Sequence, residues 1–279
     1  MPTKAKLVNL TLHKSNLFMQ RFIFYISEQT VFSNKKNNLS GSSALIVIYK
    51  TGLTSKMMQQ IAAATHYPAT VFLNKAQINK PVCKIRWFNQ FNEIKRCGHG
   101  TLATANYLLE SQRYSPAIFV SNSNERFAIK VKRNLAQLEL LTINATQLTA
   151  DKLLQSIINT PINAAFSTAR RNGYTLVLIE EKIDLKNLNV DINAIELSQK
   201  NAVIVMQIKR ADASQAIIYF RYFAPQFGVN EDSATGSAVS IIAPVIFRLT
   251  GLKSGELIQQ STSGALLNYA LNKNRILVY

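Results

Sequence analysis

Residues 95–103 read KRCGHGTLA, placing a thiol (Cys97) and an imidazole (His99) among Gly98, Gly100 and Thr101. The chain has only two cysteines and three histidines, so the pairing is conspicuous. The small residues and the apolar run after them read as the start of a helix. Unpaired N–H groups and partial positive charge at such an end favour an anion. Beside Lys95 and Arg96, that setting also lowers a thiol pKa, which makes Cys97 a candidate base. His99 is a candidate second acid/base or an orienting group. The plainer alternative keeps Cys97 as an inert small residue at a tight turn and His99 as a cap.

The pattern has an echo. RWF begins at Arg86 and RYF at Arg221, and eleven residues after each arginine stands a titratable side chain, Cys97 or Asp232. Gly100-Thr101 and Gly236-Ser237 then open apolar segments. Each copy reads as strand, loop, reactive group and helix N-terminus, a spacing that suggests two duplicated lobes rather than a solenoid. Two helix ends holding one small acid, with Cys97 and Asp232 on opposite faces of one carbon, suit a cofactor-free racemase, epimerase or proton-shifting isomerase. The alternative for Glu231-Asp232 is ordinary capping and dipole chemistry.

The elements that must position these groups are legible in outline. Apolar runs at 21–26 and 44–49 read as strands, separated by a polar loop closing on Gly41. Residues 54–65 read as a helix, with Thr54 as N-cap and Met57, Met58 and Ile61 at helical spacing. Strands are expected at 70–74, 84–89, 116–121, 126–132 and 136–142, with a helix over 100–111. A helix near 149–158 precedes strands at 163–168, 174–179, 202–208 and 216–223. Residues 236–251 read as a buried helix kinked at Pro244. Strands at 256–260 and 265–269 and the terminal RILVY end the chain. Residues 1–19 read as a polar extension of weak order.

Composition narrows the class. The chain has 279 residues, 47% of them hydrophobic, enough for a sizeable core in one large or two ordinary domains. No apolar window is long enough for a membrane span, and the N-terminus lacks a signal-peptide core, so a soluble cytoplasmic protein is expected. Cys83 and Cys97 offer no disulfide framework and no metal-ligand spacing. The net charge of +17 raises a nucleic-acid reading, but the basic residues are dispersed and no nucleic-acid-binding motif occurs. A solvated basic surface that favours anionic substrates is the simpler account.

At these residues a family resemblance emerges. IRWFNQFNEIKRCGHGTLATANYLL and RYFAPQFGVNEDSATGSAVSIIAPVI together resemble the PhzF-like (phenazine-biosynthesis) family, which has the diaminopimelate-epimerase fold. The shared pieces are an arginine–aromatic–Phe strand, a Cys-Gly-His-small-Thr turn and Glu-Asp-x-x-Thr-Gly-Ser. The segment from Ser40 to Leu73 is also similar to the family's first strand–helix–strand unit, so the likeness runs from about residue 20 to the end. It implies an α+β fold of two similar lobes, each a rolled, mostly antiparallel sheet around a central helix. The lobes are expected at 20–140 and 141–279, the last strand being able to return to the first lobe. The resemblance further implies a substrate cleft between them, a homodimer and a small acid as substrate, while the proton-transfer chemistry and the cysteine spacing call for no cofactor and no metal. Cys97, His99 and Asp232 become the catalytic candidates. Ser42, Gly98, Gly100, Thr101, Thr235, Gly236 and Ser237 become candidate substrate-binding positions.

The chain also departs from the family pattern. Gly100 replaces the usual Ala. The family's catalytic glutamate falls at Ala69, and loss of a general base commonly removes a factor of about 10²–10⁴ in rate. A Gly-Asn-Pro turn reads Gly41-Ser42-Ser43, and Gln-Gly…Gly-Arg reads Gln260-Ser261…Gly264-Ala265, without the arginine. Three readings follow. One is an isomerase in which Cys97, paired with Asp232, replaces the glutamate. The second is a catalytically silent relative that binds a small acid or acts as an interaction protein. The third, least favoured, uses the basic surface for nucleic acid.

Overall fold

The computed structural model describes residues 6–12, 20–50, 52–149, 152–169, 173–211 and 215–279, with side chains from Tyr25 onward. Contacts divide the chain into two compact units, Met1–Val31 with Ser42–Glu139, and Phe32–Gly41 with Leu140–Tyr279. The excursion Phe32–Gly41 bonds within the second unit: Ser40 and Gly41 donate to the carbonyls of Ser263 and Gly264, and Leu266 donates to that of Phe32, each at 2.8 Å.

In the first unit β1 (Lys6–Leu12), β2 (Gln20–Val31) and β3 (Ser42–Tyr49) form an antiparallel meander. α1 (Ser55–Thr65) crosses over to β4 (Ala69–Asn74), which is parallel to β3. β5 (Val82–Phe88) returns antiparallel to β4, and β6 (Glu93–Ile94) folds back on its end. α2 (Gly98–Gln112) crosses to β7 (Ile118–Val120), parallel to β5; β8 (Arg126–Lys132) and β9 (Leu135–Leu141) continue antiparallel.

The second unit repeats this path. β10 (Thr146–Leu148), α3 (Lys152–Ile158), β11 (Ile162–Ser167) and β12 (Tyr174–Ile179) give the opening meander. α4 (Ile192–Ser198) leads to β13 (Ala202–Ala211), parallel to β12. β14 (Ala216–Ala224) and β15 (Val229–Glu231) correspond to β5 and β6. α5 (Val239–Thr250) crosses to β16 (Ser254–Gln259), parallel to β14, before β17 (Ala265–Asn272) and β18 (Arg275–Val278). Among the described residues of the first unit, no α-helix corresponds to α3. The duplication inferred from two arginines therefore extends through every strand.

Each unit buries both faces of its sheet, so strands such as ALIVIY are continuously apolar rather than alternating. In the first, Leu45, Val47 and Phe72 pack under Met57, Met58 and Ile61 of α1. The opposite face meets α2, which packs on β2, β3, β4 and β8. In the second, Val177, Val203, Val205 and Phe223 share a core with Leu154, Ile157 and Ile195. α5 packs on β12, β17 and β18 and buries Val239–Ala243, Val245 and Ile246, as a central helix apolar on most sides must.

Pro244 lies inside α5 and has no N–H for the Ser240 carbonyl four residues back. That carbonyl instead accepts the Ile143 N–H at 2.8 Å, so the buried acceptor is satisfied from outside the helix.

Three local expectations are corrected. The extension at 1–19 contains a paired strand, β1, because KLVNLTL alternates Val8, Leu10 and Leu12 with polar residues; residues 1–5 and 13–19 lie outside the described set. The helix expected from Gly236 starts as a 3-10 turn, Gly236–Ala238, and becomes α5 at Val239. α4, missed in the sequence, is a seven-residue helix capped by Asp191, whose carboxylate accepts the Ala194 N–H at 2.9 Å.

Candidate active site

The first candidate group lies at the N-terminus of α2. Cys97 is its N-cap, and its sulfur accepts the Gly100 N–H at 3.4 Å. His99 lies alongside, with Nδ1 3.6 Å and Nε2 3.8 Å from the sulfur. Both nitrogens lie within hydrogen-bond range of the sulfur, the donor being set by the tautomer. Gly100 sits in a tight space. A Cβ there would stand 3.0 Å from Cys97 Sγ, 3.0 Å from Trp87 Cδ1 and 3.2 Å from Val71 Cγ2.

The position of Ala69 follows from strand parity. Thr70 bonds Thr65 at the end of α1 (3.1 Å), and Phe72 packs under α1. Val71 touches the start of α2 instead, so Ala69 shares the α2 face. Because β5 and β7 are parallel, the crossover helix α2 runs back against them and starts where β5 ends. That is the Phe88–Thr70 end of the sheet. Ala69 is thus a fully buried methyl on the face, and at the end, where α2 begins. Ser42 lies on the corresponding face of β3, opposite Leu45 and Val47, and its buried hydroxyl has no hydrogen-bond partner among the described residues.

The second candidate group lies in the turn from β15 into α5. Asp232 Oδ2 accepts the Thr235 hydroxyl at 2.6 Å, three residues on, as Cys97 accepts from residue 100. Fully buried Gln259 accepts the Thr235 N–H (2.6 Å) and donates to the Asp232 carbonyl (2.5 Å) and the Thr235 hydroxyl (3.2 Å). Tyr222 also belongs to this surround: burial, then the proximity of Tyr174 and Asp232, raises its phenol above the usual range and keeps it neutral. Gly236 faces the ring of Phe32, 3.7 Å from where its Cβ would be.

Several anticipated binding groups are already engaged. Thr101 turns both its N–H (3.1 Å) and hydroxyl (2.7 Å) to the Cys97 carbonyl, and Gly100 gives its N–H to the sulfur. Thr235 gives its N–H to Gln259 and its hydroxyl to Asp232. The amides of Gly98 and His99, and of Gly236 and Ser237, stand at helix starts that supply no intrahelical acceptor. Among the described residues, no group of three or more His, Cys, Asp or Glu side chains could hold a metal ion. No helix there is long and apolar enough to cross a membrane.

The sequence reading missed three supports. Arg86 binds Glu93 through two parallel bonds (2.8 and 2.6 Å), and Arg221 binds Glu231 likewise (2.7 and 2.9 Å). These pairs brace the hairpins that lead to Cys97 and Asp232. The arginines were visible as an echo, but their partners sit seven and ten residues on, and that inequality hid the pairing. Gln259 carried no local signal, because its partners are 24 and 27 residues away.

Two lobes of this topology, each ending a strand hairpin at a helix N-terminus, define the diaminopimelate-epimerase fold. The sequence profile of the phenazine biosynthesis-like protein family matches residues 31–266, and the chain belongs to that family. A phenazine biosynthesis-like domain-containing protein of Bos taurus is 26% identical over 256 residues, covering 84% of this chain and 88% of its own. An uncharacterized isomerase of Halalkalibacterium halodurans is 27% identical over 244 residues, covering 85% and 87%. The crystal structure of a PhzF-family protein from Enterococcus faecalis matches the fold with a TM-score of 0.76 at 23% identity, over 92% of this chain and 94% of that one.

Proposed function

We propose that the chain is a cofactor-independent isomerase that moves a proton on a small carboxylate-bearing substrate. The observation that carries this reading is the duplicated turn: a titratable side chain three residues before the donor it accepts, at the start of each unit's central helix. Kinship with a protein named an isomerase supports the same class. In this reading the substrate carboxylate meets the partial positive charge of the helix starts. Cys97 Sγ takes or gives one proton and Asp232 Oδ1 the other, since Thr235 occupies Oδ2. His99 exchanges the sulfur's proton with solvent or orients the substrate. Family resemblance supports a homodimer, and two free cysteines suit a reducing cytoplasm.

The fully buried methyl of Ala69, standing where a general base is expected, favours a second reading: a silent relative that binds small acids without turnover. Thiolate absorbance in the ultraviolet separates the two. Burial pushes Cys83 up to about 12, so a thiolate forming at lower pH reports Cys97. A midpoint clearly below the ordinary value of about 8.5, absent in Cys97→Ser, supports the isomerase. An ordinary midpoint supports the silent relative.

A further inference from the structure

We infer that Gln259 is a positioning residue for Asp232, acting through the hydroxyl of Thr235. The inference rests on the proposed role of Asp232 as a proton-carrying group. Gln259 is the last residue of β16, in register with Phe220 of β14, so its carboxamide is delivered by the sheet to the turn that follows β15. It is fully buried, and its amide orientation is fixed by its partners. The oxygen faces the Thr235 N–H and the nitrogen faces the Asp232 carbonyl. Exchanging the two atoms would set donor against donor and acceptor against acceptor.

The same nitrogen donates to Thr235 Oγ1 at 3.2 Å. With a lone pair so engaged, the hydroxyl directs its own hydrogen onto Asp232 Oδ2 at 2.6 Å. The donors therefore run in one direction, from amide to hydroxyl to carboxylate, and polarise one another in that sense. Among the described residues the carboxylate is held through Oδ2, which leaves Oδ1 to exchange a proton. Ser261 fixes the turn from behind, its hydroxyl donating to the Ser233 carbonyl at 2.8 Å.

The test needs no substrate: the pH titration of the Asp232 carboxyl carbon by 13C NMR in the full chain. Around Asp232, the Tyr222 phenol is raised by burial and stays neutral, and the Glu231 carboxylate is engaged by Arg221. Gln259→Met removes the donor and should raise the Asp232 midpoint, as should Thr235→Val, while Thr235→Ser keeps the hydroxyl and the native midpoint. In the Gln259→Met/Thr235→Val double variant the two rises should not add, because both break one relay. If Gln259→Met does not fold, Gln259→Glu keeps the volume and the acceptor for the Thr235 N–H, and should raise the midpoint. An unchanged midpoint in a folded Gln259 variant, or full additivity with Thr235→Val, overturns the inference. Failure of the isomerase reading would leave these titrations unaltered, so the two fail separately.

Discussion

Gly100 donates its N–H to the sulfur of Cys97 at 3.4 Å and, lacking a side chain, allows that sulfur to sit where it does. The contact explains why the smallest residue occupies a position at which the family resemblance led us to expect alanine. An added methyl would meet Cys97, Trp87 and Val71 at once. Gly100→Ala should therefore destabilise the protein by about 1–3 kcal/mol, the usual range for overpacking, read as a lower urea midpoint at unchanged slope. An unchanged midpoint would mean that the α2 turn shifts freely.

Ala69→Glu places a carboxyl on the α2 face, where the resemblance locates a general base. It should lower stability, because a fully buried site charges a penalty for an ionised group. It should also raise any proton exchange measured for the native protein, on the order of 10² or more. Lower stability without a gain in exchange would remove position 69 from the site.

The two arginine pairs should differ in worth. Arg221 and Glu231 are the less exposed (13% and 23%, against 20% and 29% for Arg86 and Glu93), and Arg221 also donates to the Leu185 and Leu188 carbonyls. Glu231→Gln should cost about 1–3 kcal/mol and Glu93→Gln less, since the more buried arginine is left less well solvated. Equal losses in chemical denaturation would contradict that ranking.

Alkaline conditions should unfold the protein cooperatively. Burial raises Cys83 from 9.0, and Tyr269 from 10.0, each to about 12. Between the ordinary value and about 12 the unfolded chain has lost protons that the native one retains. Stability present below pH 9 therefore falls as pH rises, by up to about 1.4 kcal/mol per pH unit for each such group. Cys83→Ala should flatten the slope between pH 9 and 12 by one group's share, measured from urea midpoints. An unaltered slope would show that Cys83 ionises freely in the native state.

Much of this architecture was written locally. Strand and helix positions followed from apolar runs such as ALIVIY and from caps such as Thr54, and the repeated arginine-aromatic-Phe pointed to duplication. What escaped was either short or remote. α4 has seven residues and one cap, too little periodicity to stand out. β1 was passed over because its basic flanks outweighed the alternation of Val8, Leu10 and Leu12. Gln259 and the exchange of Phe32–Gly41 into the second unit depend on contacts far apart in sequence, which no local pattern encodes. The reactive types at 97, 99 and 232 were legible. That Thr101 and Thr235 spend their donors internally was not.

The central claim is that Cys97 and Asp232 exchange protons with the carbon of a small acid. Incubating the protein in D₂O with a panel of small amino and hydroxy acids, and following the proton beside the carboxylate by NMR, tests it most directly. The account predicts deuterium incorporation into at least one acid by the native protein, lost in Cys97→Ala and in Asp232→Asn while both variants stay folded. Exchange that persists in Cys97→Ala, or none with any acid in the panel, would contradict it.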